Sequence, residues 1–316
     1  MRGTLSRGNR FGVSILVTGA TGFIGSHLCR ELVAGGHRVA ALTRSGRTEN
    51  IADLLDHQDF SLHKGEIQDT AVLARIIKDM KITTVFHLAA QLPGEEEMAN
   101  PLPGFDTNAR GTLNLLHAAS SGRVESFIYA STMSVYAVPP GHLPVDEEQE
   151  VRPDSVYGVA KLAGELCCRI YGSRMKMIVL RYAGVYGKNC RRSDAVPTFV
   201  RQALANQPLT VHGDGGQSSD FVHVSDAVRG TVLAWEKGEP GVYNIGGGRE
   251  TPIRELAERI IEITGAKSAV VTEAGRADRP FRFVLDITRA RQALGYAPRP
   301  LAEGLRRYLA DIKNKR

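Results

Sequence analysis

Cysteine is scarce in this chain, and the little there is falls in the wrong places for a metal site. The four cysteines stand at 29, 167, 168 and 190. No pair has a zinc spacing, and Cys167 and Cys168 are neighbours on an expected helix, so neither structural zinc nor a disulfide framework is expected. No metal is expected at all, and a reducing, cytoplasmic setting fits. No apolar run approaches membrane-spanning length, which argues against a membrane partner. Residues 1–12 are basic and glycine-rich but no apolar signal segment follows them, and they read as a flexible leader. Internal repeats and low-complexity segments are also missing. The net charge is +6 and the sequence pI about 9.2, yet Lys and Arg are scattered and some lie beside acids. Such a balance points to anionic small molecules, not to nucleic acid.

What is present suits an ordinary soluble enzyme. The 316 residues allow a sizeable core in one large domain or two joined ones, with 42% hydrophobic and 23% charged residues. The stretch on which the chain is organised is Ser14-Ile15-Leu16-Val17-Thr18-Gly19-Ala20-Thr21-Gly22-Phe23-Ile24-Gly25. An apolar run of strand length ends in Gly19, Gly22 and Gly25, after which Ile24, Leu28 and Leu32 recur at helix spacing. A strand, a glycine turn and a helix in that order form a phosphate site. The backbone can approach a diphosphate closely, and unpaired amides at the helix start face its charge.

The next strand ends in Thr43-Arg44-Ser45-Gly46-Arg47. An acid at that point holds ribose hydroxyls, whereas Arg accommodates a 2′-phosphate, so NADP(H) is favoured and NAD(H) remains possible. A helix is expected from about Ile51, then a strand Phe60–Gly65 whose following Glu66 and Ile67 are placed to line an adenine pocket. Strand Thr84–Ala90 closes on Leu88, Ala89 and Ala90, small enough at the end for a cofactor to lie against the backbone. His87 within it reads as a packed strand residue with no evident partner. Residues 91–104 read as a loop, Asn108–Ala119 as a helix, and Ser126–Ala130 as a strand running into Ser131-Thr132-Met133-Ser134. Alternation of this kind predicts a parallel sheet covered on both faces.

Tyr157 and Lys161 stand four apart, on one face of an expected helix. A phenol with a pKa near 10 is a poor base at neutral pH. A neighbouring ammonium and an oxidised nicotinamide both favour the phenolate, which then exchanges a proton with a carbinol or ketone. Lys161 also reaches ribose hydroxyls, and Thr132, past a strand end, is placed to orient the same substrate oxygen.

These motifs, with Asn108-Ala109-Arg110-Gly111-Thr112, Leu180-Arg181-Tyr182-Ala183-Gly184-Val185-Tyr186-Gly187 and Asp220-Phe221-Val222-His223-Val224, resemble the extended short-chain dehydrogenase/reductase superfamily. Within it the chain is similar to the NAD(P)-dependent epimerases and dehydratases of nucleotide sugars, over roughly residues 13–305. The resemblance implies an α/β fold, a Rossmann-type doubly wound parallel sheet with a smaller C-terminal substrate-binding lobe. Residues 13–186 with 220–246 would form the first, and 187–219 with 247–316 the second. It implies Thr132, Tyr157 and Lys161 as the catalytic set. It implies cofactor contacts from Gly19, Gly22, Phe23, Ile24, Gly25, Arg44, Ser45, Glu66, Ile67, Leu88, Ala89, Ala90, Asn108 and Ala183. A homodimer through the helices around Asn108 and Tyr157 is implied as well.

The departures bear on the substrate. Dehydratases of the family follow the catalytic Thr with acid, where Met133 and Ser134 stand here, and neither exchanges a proton at neutral pH. Gly184 replaces a usual Asn, and Ser219 a usual Arg that grips the sugar-nucleotide diphosphate; Arg276, Arg279 or Arg282 is left to supply that charge. The expected function is hydride transfer at a secondary carbinol or ketone of a nucleotide sugar. An NADPH-dependent 4-ketoreductase is favoured, with a 4-epimerase holding its cofactor tightly, or a non-catalytic cofactor-sensing regulator, as the alternatives.

Overall fold

The computed structural model describes residues 12–94, 98–191, 193–213, 215–273 and 282–313. The expected leader lies outside them but for Gly12, and so do Arg276 and Arg279. Strands and helices alternate through the first half: β1 (Ser14–Thr18), α1 (Phe23–Ala34), β2 (Arg38–Thr43), β3 (Phe60–Lys64), α2 (Thr70–Asp79), β4 (Thr84–His87), α3 (Leu102–Phe105), α4 (Gly111–Ser121), β5 (Ser126–Thr132), α5 (Val156–Tyr171) and β6 (Lys176–Tyr182). The second half is less regular: β7 (Gly184–Tyr186), α6 (Ala195–Leu204), β8 (Leu209–His212), β9 (Ser218–His223), α7 (Val224–Lys237), β10 (Gly241–Ile245), β11 (Glu250–Pro252), α8 (Ile253–Thr264), β12 (Val270–Glu273), α9 (Thr288–Leu294) and α10 (Leu301–Lys313).

Seven strands form one parallel sheet in the order β10-β6-β5-β4-β1-β2-β3. The alternation of side chains along each strand fills both faces. Ile15, Val17, Val39, Ala41, Phe86 and Ile128 enter one apolar cluster, and Leu16, Ala40, Leu42, Val85, Phe127 and Tyr129 enter the other. Each of the larger aliphatic or Phe side chains among them contributes roughly 1.5–3 kcal/mol on burial, which is why the strands read as unbroken apolar runs. The chain reverses direction across the sheet between β1 and β4, the crevice where ligands of such folds bind.

Two glycines make the turn after β1 possible. Gly19 has φ +69°, a left-handed conformation that costs a side chain but not glycine. A Cβ on Gly25 would stand 2.2 Å from the Gly19 carbonyl oxygen, so only glycine lets α1 begin this close to the strand. Beyond the carboxyl ends of the sheet, α6, α8 and α10 pack round Phe199, Leu209, Leu256, Ile260 and Leu305 as a third cluster. Beside it lie a three-stranded sheet, β11-β9-β7, and the pair β12-β8. Among the described residues no helix is long and apolar enough to cross a membrane.

Two elements differ from the sequence reading. The helix expected from Ile51 is one 3-10 turn, Ala52–Leu54. The segment is tied instead from the side, by Arg30 donating from Nε to Asp53 at 2.7 Å. The helix expected at Asn108–Ala119 begins earlier, with α3 running through a π-type turn, Asp106–Arg110, into α4. Pro101 and Pro103 had suggested a loop, but proline is tolerated in a first helical turn, where its missing N–H has no partner to lose.

Candidate active site

The crevice between β1 and β4 opens into a cavity of about 770 Å³. One wall is the glycine turn, with Gly19, Gly22, Phe23, Ile24 and Gly25. Gly22 offers no side-chain cap to α1, and no acid stands in the helix's first turn. Gly22 donates its amide to the Gly19 carbonyl at 3.0 Å and Ser26 to the Gly22 carbonyl at 3.1 Å, so among the described residues no side chain caps the intervening amides at this end. Arg44 and Ser45 form the rim beyond, both exposed, while buried Thr43 meets Thr21 at 3.1 Å through their hydroxyls and ties β2 to the turn. Ile67, Leu88, Ala89 and Ala90 complete the apolar floor.

The opposite wall brings Thr132, Tyr157, Lys161, Ala183 and Gly184 together. Ser155 caps α5 by accepting from the Gly158 amide at 3.1 Å, fixing the turn that carries Tyr157. Thr132 ends β5, and its Oγ1 accepts the Ser134 amide at 3.2 Å, which leaves its hydroxyl directed by the 3-10 turn that follows. Lys161 is 2% exposed, and among the described residues no carboxylate pairs with its ammonium. Burial lowers its pKa to about 8. A buried cation with donors to spare, facing an uncapped helix start across one cavity, is a donor set that fits a ribose and diphosphate.

Four expected site residues lie elsewhere. Glu66 is exposed, because the turn closed by the Asp69 amide on its carbonyl aims Ile67 inward and Glu66 out. Asn108 is 1% exposed and spends its amide on both backbone groups of Gln91, each at 2.8 Å, so it braces the loop after β4 and borders a smaller adjoining cavity. Met133 packs against the buried cluster beneath the sheet. Ser219 sits on β9 opposite Thr251, one pleat short of Phe221, which does line the cavity. Arg276 lies outside the described residues. Arg282 forks onto Glu250 with both bonds at 2.6 Å, and this contact holds the Glu250 carboxyl down to about 2. Its charge is already matched.

His87 has the partners that the sequence did not disclose. It is fully buried, with Nδ1 2.7 Å from Thr18 Oγ1 and Nε2 2.9 Å from Thr112 Oγ1. Thr112 donates to the Asn108 carbonyl at 2.6 Å, so Nε2 must be the His87 donor, and Nδ1 accepts from Thr18. Burial and nearby Lys161 hold the ring well below its ordinary pKa, which keeps it neutral. The chain of bonds anchors the end of β1 to α4. Other lining residues escaped the sequence reading, among them Gln68, Thr107, Asn189, Arg191 and Asp194. They come from stretches remote from one another in the chain, Thr107 from the π-type turn before α4 and the others from turns and loops. Arg191, for example, reaches the Pro93 carbonyl at 2.9 Å, and no local pattern announces such a contact.

Comparison with known proteins places this geometry. The model of the NAD dependent epimerase/dehydratase family matches residues 15–246. A UDP-glucose 4-epimerase of Thermotoga maritima, solved with UDP-glucose, superposes with a TM-score of 0.88 at 33% identity, covering 95% of this chain and 99% of that one. A UDP-glucuronic acid 4-epimerase of Bacillus cereus, in complex with UDP-glucuronic acid and NAD, superposes at 0.85 with 34% identity, covering 96% and 99%. A dTDP-glucose 4,6-dehydratase of Streptomyces niveus is 34% identical over 310 residues, 92% of this chain and 90% of its own. With the family model matched over residues 15–246 and these relatives aligned over nearly the whole chain, the chain belongs to the NAD-dependent epimerase/dehydratase family, enzymes that act on nucleotide sugars.

Proposed function

We propose that this enzyme is a nucleotide-sugar 4-epimerase, with a UDP-hexose as the substrate class. The observation that carries the reading is the wall of the cavity. Thr132, Tyr157 and Lys161 line it with Ser134, and no acid follows Thr132. Among the described lining residues Asp194 is the one carboxylate, contributed from the start of α6. Elimination of water needs a proton donor and acceptor beside the sugar, and Met133 and Ser134 supply neither. The epimerases of Thermotoga maritima and Bacillus cereus support this choice, and they move the reading away from the ketoreductase expected from the sequence.

The glycine turn and the start of α1 would hold the diphosphate of a nicotinamide dinucleotide, Ile67 and the β4 end its adenosine, and Lys161 the nicotinamide ribose. A nicotinamide dinucleotide bound there would supply reversible hydride exchange with the sugar's C4, so no net redox change would result. Tyr157 as phenolate takes the C4 hydroxyl proton and later gives it back. Lys161 keeps that phenolate accessible near neutral pH by its charge. Thr132 fixes the same oxygen by a hydrogen bond. NAD is the cofactor in the Bacillus cereus complex, while Arg44 at the rim leaves a place for the 2′-phosphate of NADP(H).

Incubation with UDP-hexoses is expected to interconvert the C4 epimers with no lasting change in nicotinamide absorbance. Tyr157→Phe should cut turnover by about 10²–10⁴-fold and keep dinucleotide binding. Product formed only in proportion to added NADPH would replace the epimerase by a reductase. A homodimer is proposed on the outer faces of α3, α4 and α5. There Leu102, Leu113, Val159, Leu166 and Ile170 expose 43–72% of their surface on packed helices, an apolar stripe that a second copy would cover.

A further inference from the structure

Lys161 is asked to stay charged in a place that disfavours charge, and its helix does not supply the usual remedy. The nearest carboxylate, Glu165, is one turn further along the same face, but its oxygens are taken by Arg181 and Ser131. Beneath the ammonium lies an aromatic ring instead. Lys161 Nζ stands 4.2 Å from the centroid of Tyr129. Tyr129 is fully buried on β5, and its hydroxyl donates to the Lys161 carbonyl at 3.3 Å. A Cβ on Gly164 would fall 2.2 Å from that hydroxyl oxygen, so the ring is seated tightly against α5 at Gly164.

We infer that Tyr129 is a positioning residue: the face of its ring holds the Lys161 ammonium at the cavity wall beside Tyr157. The inference rests on the proposed role of Lys161 and extends it. A ring quadrupole attracts a cation without carrying net charge. A paired carboxylate would cancel the ammonium's field and with it the stabilisation of a Tyr157 phenolate. The ring leaves that field intact and leaves the ammonium's hydrogens for ligand hydroxyls. The groups that face Lys161 are consistent with this division of labour. Glu165 and Cys168 lie on its own helix, Tyr157 one turn before it, and neutral His87 on β4, its ring 5.6 Å from that of Tyr129. Burial outweighs them and lowers Lys161 to about 8.

The test reads Lys161 directly, in the unliganded protein, so it does not depend on which sugar is turned over. The Cε resonances of ¹³C-lysine are followed against pH, with Lys161 assigned from the Lys161→Arg spectrum. Tyr129→Phe keeps the ring and should leave the midpoint where it is. Tyr129→Leu removes the ring and should lower it by about one pH unit. Mono-, di- and trifluorinated phenylalanine at 129 keep the shape while weakening the ring face, and should lower the midpoint stepwise. Should Tyr129→Leu not fold, the fluorinated series decides alone. An unchanged midpoint in the leucine variant, or no trend with fluorine, overturns the inference even if the enzyme proves to be an epimerase. Conversely, a stepwise shift upholds it if the protein proves to be a reductase.

Discussion

Replacing Glu165 by leucine exposes how the Tyr157–Lys161 wall of the cavity is held together. Glu165 accepts from Arg181 through Nε at 3.0 Å and NH2 at 2.7 Å, and from the Ser131 hydroxyl. Ser131 and Arg181 are register partners on β5 and β6, so one carboxylate joins α5 to both strands. The side chains of Arg181 and Glu165 are 5% and 7% exposed. Glu165→Leu therefore strands a buried guanidinium, and breaking such a pair costs about 3–5 kcal/mol. Unfolding entropy near 2.1 cal/mol/K per residue, applied to 316 residues, converts this to a fall in Tm of about 5–8 °C. Arg181→Leu should cost a similar amount. The double variant should recover most of the loss, because two apolar side chains replace two charges. It should stay about 1–2 kcal/mol short of the parent, since the Ser131 hydroxyl and the Glu147 carbonyl that Arg181 serves lose partners. Thermal unfolding followed by circular dichroism on all four proteins closes the cycle. If the double variant loses the sum of the two singles, the charges are not coupled and the account is wrong.

Three further outcomes follow from the geometry. Arg44→Asp should weaken NADP(H) binding at least tenfold and spare NAD(H), as read by dinucleotide titration; equal weakening of both would remove Arg44 from any 2′-phosphate site. Ile170→Glu, placed on the outer stripe of α5 where Ile170 is 72% exposed, should halve the mass seen in sedimentation without lowering Tm; an unchanged mass moves the interface elsewhere. Burial holds His223 down to about 4, and its Nδ1 caps α7 by accepting the Ser225 amide at 3.2 Å. Its surroundings add Asp226 from α7, His27 from α1, and Arg299 and Arg307 from the C-terminal stretch. A depressed base contributes stability that is fully present above about pH 6.5 and lost as pH falls through about 4. His223→Asn keeps a capping oxygen without titrating, so its Tm should change less over that interval. Parallel Tm curves for the two proteins would refute the assignment.

The sequence disclosed the parts of the site that are contiguous in the chain. The glycine turn, the β4 end and the Tyr157–Lys161 helix are each written in one short stretch with its own periodicity, and each lines the cavity. Thr132 was placed because it follows a strand. What stayed hidden depends on contacts between distant stretches. The direction of Glu66 is set by a turn, and Asn108 is diverted from the cavity by Gln91 in a loop that precedes it. The partners of His87 come from β1 and α4, and the anchor of Arg282 from β11. The α3 helix was masked by prolines that a first turn accepts. In each case local propensity was correct about what a residue tolerates and silent about what lies beside it.

Gly184, where the sequence resemblance leads one to expect asparagine, shapes one end of the cavity. A Cβ there would stand 2.9 Å from the Asp220 carbonyl oxygen and 3.4 Å from the Phe221 ring. The neighbour is backbone and cannot yield. Asp220 itself is fixed, its carboxylate accepting the amides of Gly247 at 2.7 Å, Gly248 at 3.1 Å and Leu285 at 3.3 Å, while burial pushes its pKa up to about 6. An asparagine at 184 would force β7 and β9 apart, so the glycine serves their close pairing, in which Gly184 faces Phe221. With no asparagine amide, this stretch of wall presents Val185, Tyr186 and Phe221 to the cavity. On the proposed 4-epimerase reading, the sugar ring would present first one face and then the other to the same hydride acceptor, and an apolar stretch of wall at Val185 and Phe221 suits such a reorientation.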